Sequence, residues 1–320
     1  MNAIVIVLLF LLGLVLIIKG GDFFVDAASW IAEASGVPKF LIGATIVSLG
    51  TTMPELLVSL MAAAEGSIGI AVGNAVGSVT ANIGLIMGIS VVCIAAAANR
   101  REQGFNFVMM VAAIALLLIF SLDASLSLPE SVIILALFVA YMVHSVLSAR
   151  RAMKADSGEE KAPKDRRTVV TNILKFIAGV AGIVIGARLM VKYGSALARL
   201  FGVPESIIGA TLVAVGTSLP ELVTTITAIV KKQASLSIGN IVGANIIDLT
   251  LILPLCSVIS GKALPILRQN IVLDMPVCLG LCLLATVPPL ISQRFHKWQG
   301  VAMLVCYAGY MAALLSGFFS

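Results

Sequence analysis

Two glutamates stand where an acidic side chain is costly. Glu55 closes the run Gly50-Thr51-Thr52-Met53-Pro54-Glu55, and Glu221 closes Gly216-Thr217-Ser218-Leu219-Pro220-Glu221. Both Gly-Thr-x-x-Pro-Glu motifs fall in the middle of strongly apolar segments. A carboxylate at such depth in a bilayer costs about 2.5–3.5 kcal/mol even on insertion-based scales, and residues of this kind mark ion paths, proton relays or paired charges. No Lys or Arg lies within either motif to pair with the acid. Proline removes a backbone donor and blocks the hydrogen bond to the carbonyl four residues earlier, which frees the carbonyls of Gly50 and Gly216. Freed carbonyls, Thr or Ser hydroxyls and a carboxylate together make an all-oxygen ligand set of the sort hard cations take, with Ca2+ requiring about 6–8 oxygens. A plain proline kink with hydroxyls satisfying the local backbone would account for the Pro and Thr but not for the Glu.

A second pair of polar segments follows each motif. Gly73, Asn74, Gly77, Ser78 and Asn82 correspond to Gly239, Asn240, Gly243, Ala244 and Asp248. Positions 74, 78 and 82 share one helical face, as do 240, 244 and 248. The glycines suit close helix packing and the two Asn residues suit bridging between helices. Asp248 is a third intramembrane acid opposite the neutral Asn82, so a site built from both segments is asymmetric in charge. Asp274 lies near the start of an apolar segment, as an interfacial residue would. Asp22 and Arg188 read as structural or snorkelling charges. The five cysteines and the two histidines show no metal-ligand spacing, and no nucleophile triad, phosphate-binding glycine loop or nucleic-acid motif is present. An enzyme is therefore not indicated, and no cofactor is expected.

The elements that must hold these residues are membrane helices. Of 320 residues, 60% are hydrophobic and 12% charged, against about 45–50% and about 25% in soluble domains. Ten apolar segments can be marked, near 3–20, 39–62, 68–97, 105–122, 128–149, 169–191, 206–230, 235–259, 269–291 and 297–318. The charged run Arg150–Arg167 divides the chain and reads as a flexible surface linker. Of the 21 Lys and Arg residues, 16 fall in or beside the loops that follow the odd-numbered segments and 5 in the others. The positive-inside rule then puts the linker in the cytoplasm and both termini outside, in a cell (plasma) membrane. The N-terminal segment has no basic start and reads as the first span rather than a cleaved signal.

An internal repeat organises the whole. Shifted by 166 residues, Gly36–Asn82 aligns without a gap on Gly202–Asp248, with 18 of 47 positions identical. The identities include Gly, Pro, Asn and Glu, which chance similarity between apolar helices would not supply. Each half holds five segments, an odd number, so the second enters the membrane from the opposite side. The expected fold is an all-α polytopic membrane protein of ten helices in two inverted five-helix repeats, residues 1–149 and 169–320, joined by a cytoplasmic linker at 150–168. Inverted repeats with broken helices characterise secondary transporters, with the substrate site near the midplane.

The paired motifs GTTMPE and GTSLPE, with GNAVGSVTAN and GNIVGANIID, resemble the α-repeats of the sodium/calcium exchanger family within the cation/calcium antiporter superfamily, and the resemblance spans the chain. It implies Ca2+ export in exchange for Na+ by alternating access. By motif position it makes Glu55 and Glu221 the shared Ca2+ carboxylates, completed by the Thr51 and Thr217 carbonyls. It lines the flanking sodium sites with Thr52, Ser218, Ser78 and the carbonyls of Ser48 and Ala214, and sets Asn82 and Asp248 at the middle. One position departs: the family usually carries a hydroxyl four residues before the second-repeat aspartate, and this chain has Ala244. A methyl cannot ligate an ion, so the driving ion is open between Na+ and H+. Ca2+/H+ antiport is the alternative within the class, and a cation channel is the alternative outside it.

Overall fold

A computed structural model describes residues 3–93, 98–155, 165–200 and 218–316. Helix α1 spans Ala3–Ser35. Helices α2 (Lys39–Thr51) and α3 (Met53–Ala64) form one span bent by 46°. They are followed by α4 (Ile68–Cys93), α5 (Arg100–Phe120) and α6 (Leu128–Ala155). The second half holds α7 (Arg166–Leu200), α8 (Leu219–Val230), α9 (Ala234–Ser260), α10 (Asn270–Ser292) and α11 (Lys297–Leu315). Among the described residues seven helices are long and apolar enough to cross a membrane, eight with the bent pair counted as one span. The chain is an all-helical polytopic membrane protein. Its only described strands, β1 (Ser125–Leu126) and β2 (Leu264–Pro265), pair antiparallel and tie two interhelical connections together.

The helices run past the apolar segments read from the sequence. At about 1.5 Å per residue, α1 is roughly 50 Å long, against a hydrocarbon core of about 30 Å. The apolar run ends at Lys19, but the helix continues because residues 21–35 are amphipathic. Phe24, Val25, Ala28 and Ala32 are buried, while Asp26 and Glu33 face outward. Gly36, at φ +73°, adopts the left-handed conformation that ends the helix. The charged run at 150–168 is likewise not all linker: α6 continues through Ala155 and α7 begins at Arg166. Helical propensity carries these ends beyond the last apolar residue. Asp165 caps α7 by accepting the Thr168 N–H at 3.0 Å, and the Thr168 hydrogen bonds hold its carboxyl below the usual carboxylate range.

Burial ranks the helices. The apolar windows of α9 and α4 are 83% and 72% buried, whereas those of α1, α6 and α7 are 22%, 17% and 22% buried. The two helices with the polar stripes are therefore the centre of the bundle, and the long helices present apolar side chains such as Leu8, Val15, Val139 and Leu174 outward. Helices α1 and α7 pack along their length, with the Phe24 and Phe176 rings 4.8 Å apart. Where Gly179 of α7 crosses Phe24 of α1, a side chain at 179 would stand 2.7 Å from the Phe24 nitrogen.

Candidate cation site

The bent span exists because Pro54 cannot continue the helical ladder. Thr52 takes φ −79° and ψ −2°, and α3 restarts at Met53 with Pro54 in its first turn, where a missing N–H costs nothing. Ser218 adopts φ −85° and ψ 6° ahead of α8, with Pro220 and Glu221 in the matching positions. Among the described residues the two motifs thus enter their short helices through the same backbone turn, at Thr52 and at Ser218. Each glutamate sits in the first turn of its short helix, where unpaired N–H groups and the helix dipole favour an anion.

Glu55 and Glu221 are each 1% exposed, and so is Asp248. The three carboxylates lie within electrostatic reach of one another, and the Thr51 hydroxyl lies beside Glu221. None of their six oxygens accepts a hydrogen bond from a described residue, nor does the Oδ1 of Asn82, which is 1% exposed. Buried polar atoms normally find partners, and a buried unpaired charge is costly. Six such carboxylate oxygens within electrostatic reach of one another make a place that a cation, or protons, would complete. The carboxylates do not suffice by themselves: among the described residues no three His, Cys, Asp or Glu side chains close into a metal-holding group. Further oxygens must come from carbonyls, hydroxyls or the Asn82 carboxamide.

The other expected residues divide as follows. Ser78 is buried on α4 one turn before Asn82, and the buried Ser218 hydroxyl is unpartnered. The Thr52 hydroxyl donates to the Ser48 carbonyl at 2.6 Å. The Thr51 hydroxyl donates to the same carbonyl at 3.3 Å and to Asn240 Oδ1 at 3.2 Å. The Ser48 carbonyl is therefore engaged within its own helix, accepting also the Thr52 N–H at 2.9 Å. Ala244 is fully buried, and its own side chain offers a methyl where the family usually has a hydroxyl. Thr217 and Ala214 lie outside the described residues. Asn74 bridges helices as expected, donating to Ser59 Oγ at 2.9 Å and to the Glu55 carbonyl at 3.3 Å. Asp274, expected near the interface, is 4% exposed and accepts from Asn270 at 2.7 Å and Tyr310 at 3.0 Å. Asp22 and Asp26 pair with Lys231 at 3.4 and 2.7 Å, which ties the end of α8 to α1.

Three features were not foreseen. First, α4 and α9 each contain a wide π-helical stretch, and these begin at Asn82 and Asp248 themselves. Two more such stretches, Gly43–Val47 and Asn270–Asp274, lie in α2 and α10. π-turns concentrate at functional sites because they re-aim side chains. Second, α2 packs against α9 with almost no side chain between them. A side chain on Gly239 would overlap the Phe40 carbonyl, and one on Gly243 would stand 2.5 Å from the Ala44 carbonyl oxygen. The Tyr141 hydroxyl of α6 donates to that same Ala44 carbonyl. Third, Asn245, fully buried on α9, accepts from Asn82 Nδ2 at 3.0 Å. It was legible as one more polar residue in the GNIVGANIID stretch, but it lies off the face defined by 240, 244 and 248.

A bundle with a bent span at Pro54 and three buried acids within electrostatic reach of one another suits a cation carrier, and comparison with known proteins agrees. The family model described as "Sodium/calcium exchanger protein" matches residues 5–147 and again 171–316. The sodium/calcium exchanger MaX1 of Methanosarcina acetivorans is 31% identical, covering 96% of this chain and 97% of its own. An uncharacterized membrane protein of Methanocaldococcus jannaschii is 32% identical, with 96% and 97% covered. A putative antiporter, CaxA, of Alkalimonas amylolytica is 31% identical over 96% of this chain and 97% of its own. A solved structure of the sodium-calcium exchanger NCX_Mj, soaked with Na+ and Sr2+, superimposes with TM-score 0.84 at 30% identity, covering 97% of this chain and 99% of that one. The chain belongs to the sodium/calcium exchanger family. It is a multi-pass membrane cation exchanger, a transporter and not an enzyme.

Proposed function

We propose that the protein exchanges Ca2+ for Na+ across the membrane by alternating access. The observation that carries this reading is the set of six buried, unpartnered carboxylate oxygens of Glu55, Glu221 and Asp248, three acids within electrostatic reach of one another, with the buried and unpartnered Asn82 Oδ1 at the repeat position equivalent to Asp248. Glu55 and Glu221 are the Ca2+ carboxylates, with the Thr51 and Thr217 carbonyls beside them. Thr52, Ser218, Ser78 and the carbonyls of Ser48 and Ala214 serve flanking sodium sites, and Asn82 and Asp248 stand between. Ca2+ and Na+ use overlapping oxygens, so one displaces the other. Either loading lowers the cost of burying the acids, and an empty charged site resists the movement of α1 and α7 past the core. NCX_Mj has been crystallised with Na+ and with Sr2+ or Ca2+, which supports this ion pair.

The architecture that fits is ten spans in two inverted five-helix halves, residues 1–149 and 169–320, with the connection at 150–168 cytoplasmic and both termini outside. Contacts between interhelical connections support it. The β1–β2 ladder joins the connection after the fourth span to that after the eighth. The Ala98 N–H donates to the Gln293 carbonyl at 2.9 Å, joining the connections after the third and ninth. Each contact links connections that the alternation puts on the same side.

One observation favours a second reading. Ala244, fully buried, gives a methyl where Ser78 gives a hydroxyl in the first half, so H+ rather than Na+ is the counter-ion if that oxygen is indispensable. Calcium uptake into proteoliposomes under a Na+ gradient, a pH gradient, or neither separates the cases. Uptake that follows the pH gradient alone overturns sodium coupling, and rapid flux with neither favours a channel. Glu55→Gln and Glu221→Gln should each abolish exchange. Full transport with unchanged calcium affinity in either variant would remove that residue from the site.

A further inference from the structure

Resting on that reading of the site, we infer that Met110 and Asn245 form a positioning relay that turns the Asn82 carboxamide so that its oxygen, and not its amide nitrogen, faces the cation. A carboxamide presents either an acceptor or a donor, and only the acceptor helps a cation. Something must choose between the two, and the choice is made outside the site.

The relay starts at a thioether. Met110 of α5 is fully buried, and its sulfur accepts hydrogen bonds but cannot donate them. The Nδ2 of Asn245 lies 3.6 Å from that sulfur. Turning Asn245 over would set its carbonyl oxygen against the sulfur lone pairs, two acceptors face to face. Asn245 therefore keeps its nitrogen toward Met110 and its oxygen toward Asn82. That oxygen accepts from Asn82 Nδ2 at 3.0 Å. With its nitrogen held, Asn82 has only Oδ1 left, which is buried and unpartnered among the described residues. All three side chains are at most 1% exposed, so water does not compete for these positions. Two amide orientations are thus set in series by one atom that can only accept.

The repeat explains why the device exists once. The position equivalent to Asn245 in the first half is Val79, and the residue equivalent to Asn82 in the second is Asp248. A carboxylate carries oxygen on both arms and needs no orienting. A carboxamide does, and the extra asparagine occurs where the carboxamide must be held. Asn245 is a positioning residue, acting through Asn82.

The test is calcium exchange in proteoliposomes, reading half-saturation and maximal rate separately. Asn245→Leu should raise the calcium half-saturation by about tenfold, the low end for loss of a partner that orients a metal ligand, with the maximal rate nearly kept. In an Asn82→Asp background, where both arms are oxygen, the same substitution should change half-saturation by less than about twofold, since the pair is then uncoupled. No shift in the native background overturns the relay. So does an equal loss in both backgrounds, which is what a purely structural role for Asn245 gives. If Asn245→Leu does not yield folded protein, Met110→Leu conserves volume and leaves the fold intact at small cost. It should shift half-saturation in the same direction, and the shift should vanish with Asn82→Asp; no shift overturns the relay. Wild-type exchange lost on Glu55→Gln but unmoved by Asn245→Leu refutes the relay alone. Wild-type protein that moves no Ca2+ in any gradient refutes the site and the relay together.

Discussion

Gly243→Ala adds one methyl group at the contact between α2 and α9. The new carbon would stand 2.5 Å from the Ala44 carbonyl oxygen, 2.5 Å from the Ser48 hydroxyl oxygen and 2.7 Å from the Ala44 carbonyl carbon. Ordinary contact begins near 3.4 Å, so the shortfall is close to an ångström, and two of the three atoms are backbone. The helices must separate, because no side-chain rotation relieves a clash with a carbonyl. Overpacking of this kind costs about 1–3 kcal/mol. Replacing glycine by alanine inside a helix returns about 0.5–1 kcal/mol, which leaves a net loss near 1–2 kcal/mol. The functional consequence is larger. Asp248 stands five residues beyond Gly243 on α9, and Glu55 stands just past the break at the end of α2. Moving one helix by an ångström moves one carboxylate against the other, and a misplacement of that size costs on the order of 100-fold where geometry governs a site. Gly69→Ala is the matched control. Its nearest neighbour is the flexible Leu267 side chain at 3.4 Å, so the same substitution there should be neutral or slightly stabilising. Thermal unfolding in detergent and calcium-binding titration of both variants make the check. If Gly243→Ala unfolds and binds calcium like the wild type, the close approach of α2 and α9 does not hold the site.

Two further perturbations probe neighbouring parts. Tyr141→Phe removes the donor to the Ala44 carbonyl in the π-helical turn of α2 and should cost about 1 kcal/mol of stability, read as a lowered unfolding midpoint in detergent; a midpoint equal to wild type would mean that this carbonyl is satisfied otherwise. Ala244→Ser returns the hydroxyl that the second repeat lacks. Under sodium coupling it should lower the Na+ half-saturation by about fivefold, the equivalent of one polar contact of about 1 kcal/mol, with calcium affinity unchanged, and sodium-dependent calcium efflux that does not respond would separate position 244 from the sodium path.

Some of this molecule is written locally, and that part was legible. Pro54 bends the span that holds it, and the glutamates that follow Pro54 and Pro220 declare themselves by being acidic in an apolar run. The repeat of Gly36–Asn82 in Gly202–Asp248 needs only alignment of the chain with itself. Helix ends were less legible, because Lys19, Asp22 and Asp26 look like a boundary while Phe24, Val25 and Ala28 carry the buried face onward. The π-helical stretch at Asn82 has no proline after it, whereas those that begin at Asp248 and Asn270 each end two residues before a proline, Pro254 and Pro276, which removes a donor from the ladder. Asn245 could be seen but not understood, since its role depends on Met110, 135 residues away, and on the face of α9 that the bundle turns toward α5.

The two halves agree where motion is concerned and differ where ions are concerned. Thr52 and Ser218, each the residue that precedes its short helix, have nearly the same dihedral angles, and the π-helical stretches of α4 and α9 begin at equivalent positions. An exchanger that opens to either side by related movements needs the same hinge built twice, so the backbone is held to symmetry. In the proposed site the ions meet one set of oxygens composed from both halves at once, and nothing requires the halves to contribute equally. Ser48 faces Ala214 across the repeat, Ser78 faces Ala244, Val79 faces Asn245 and Asn82 faces Asp248. Each of these differences changes the side-chain donor or acceptor offered at one position of the repeat. Charge and hydroxyl count can thus be tuned for a given counter-ion without disturbing the hinge, and the substitutions at 244 and 245 are the ones that should alter ion preference while leaving the rate of the conformational change close to its native value.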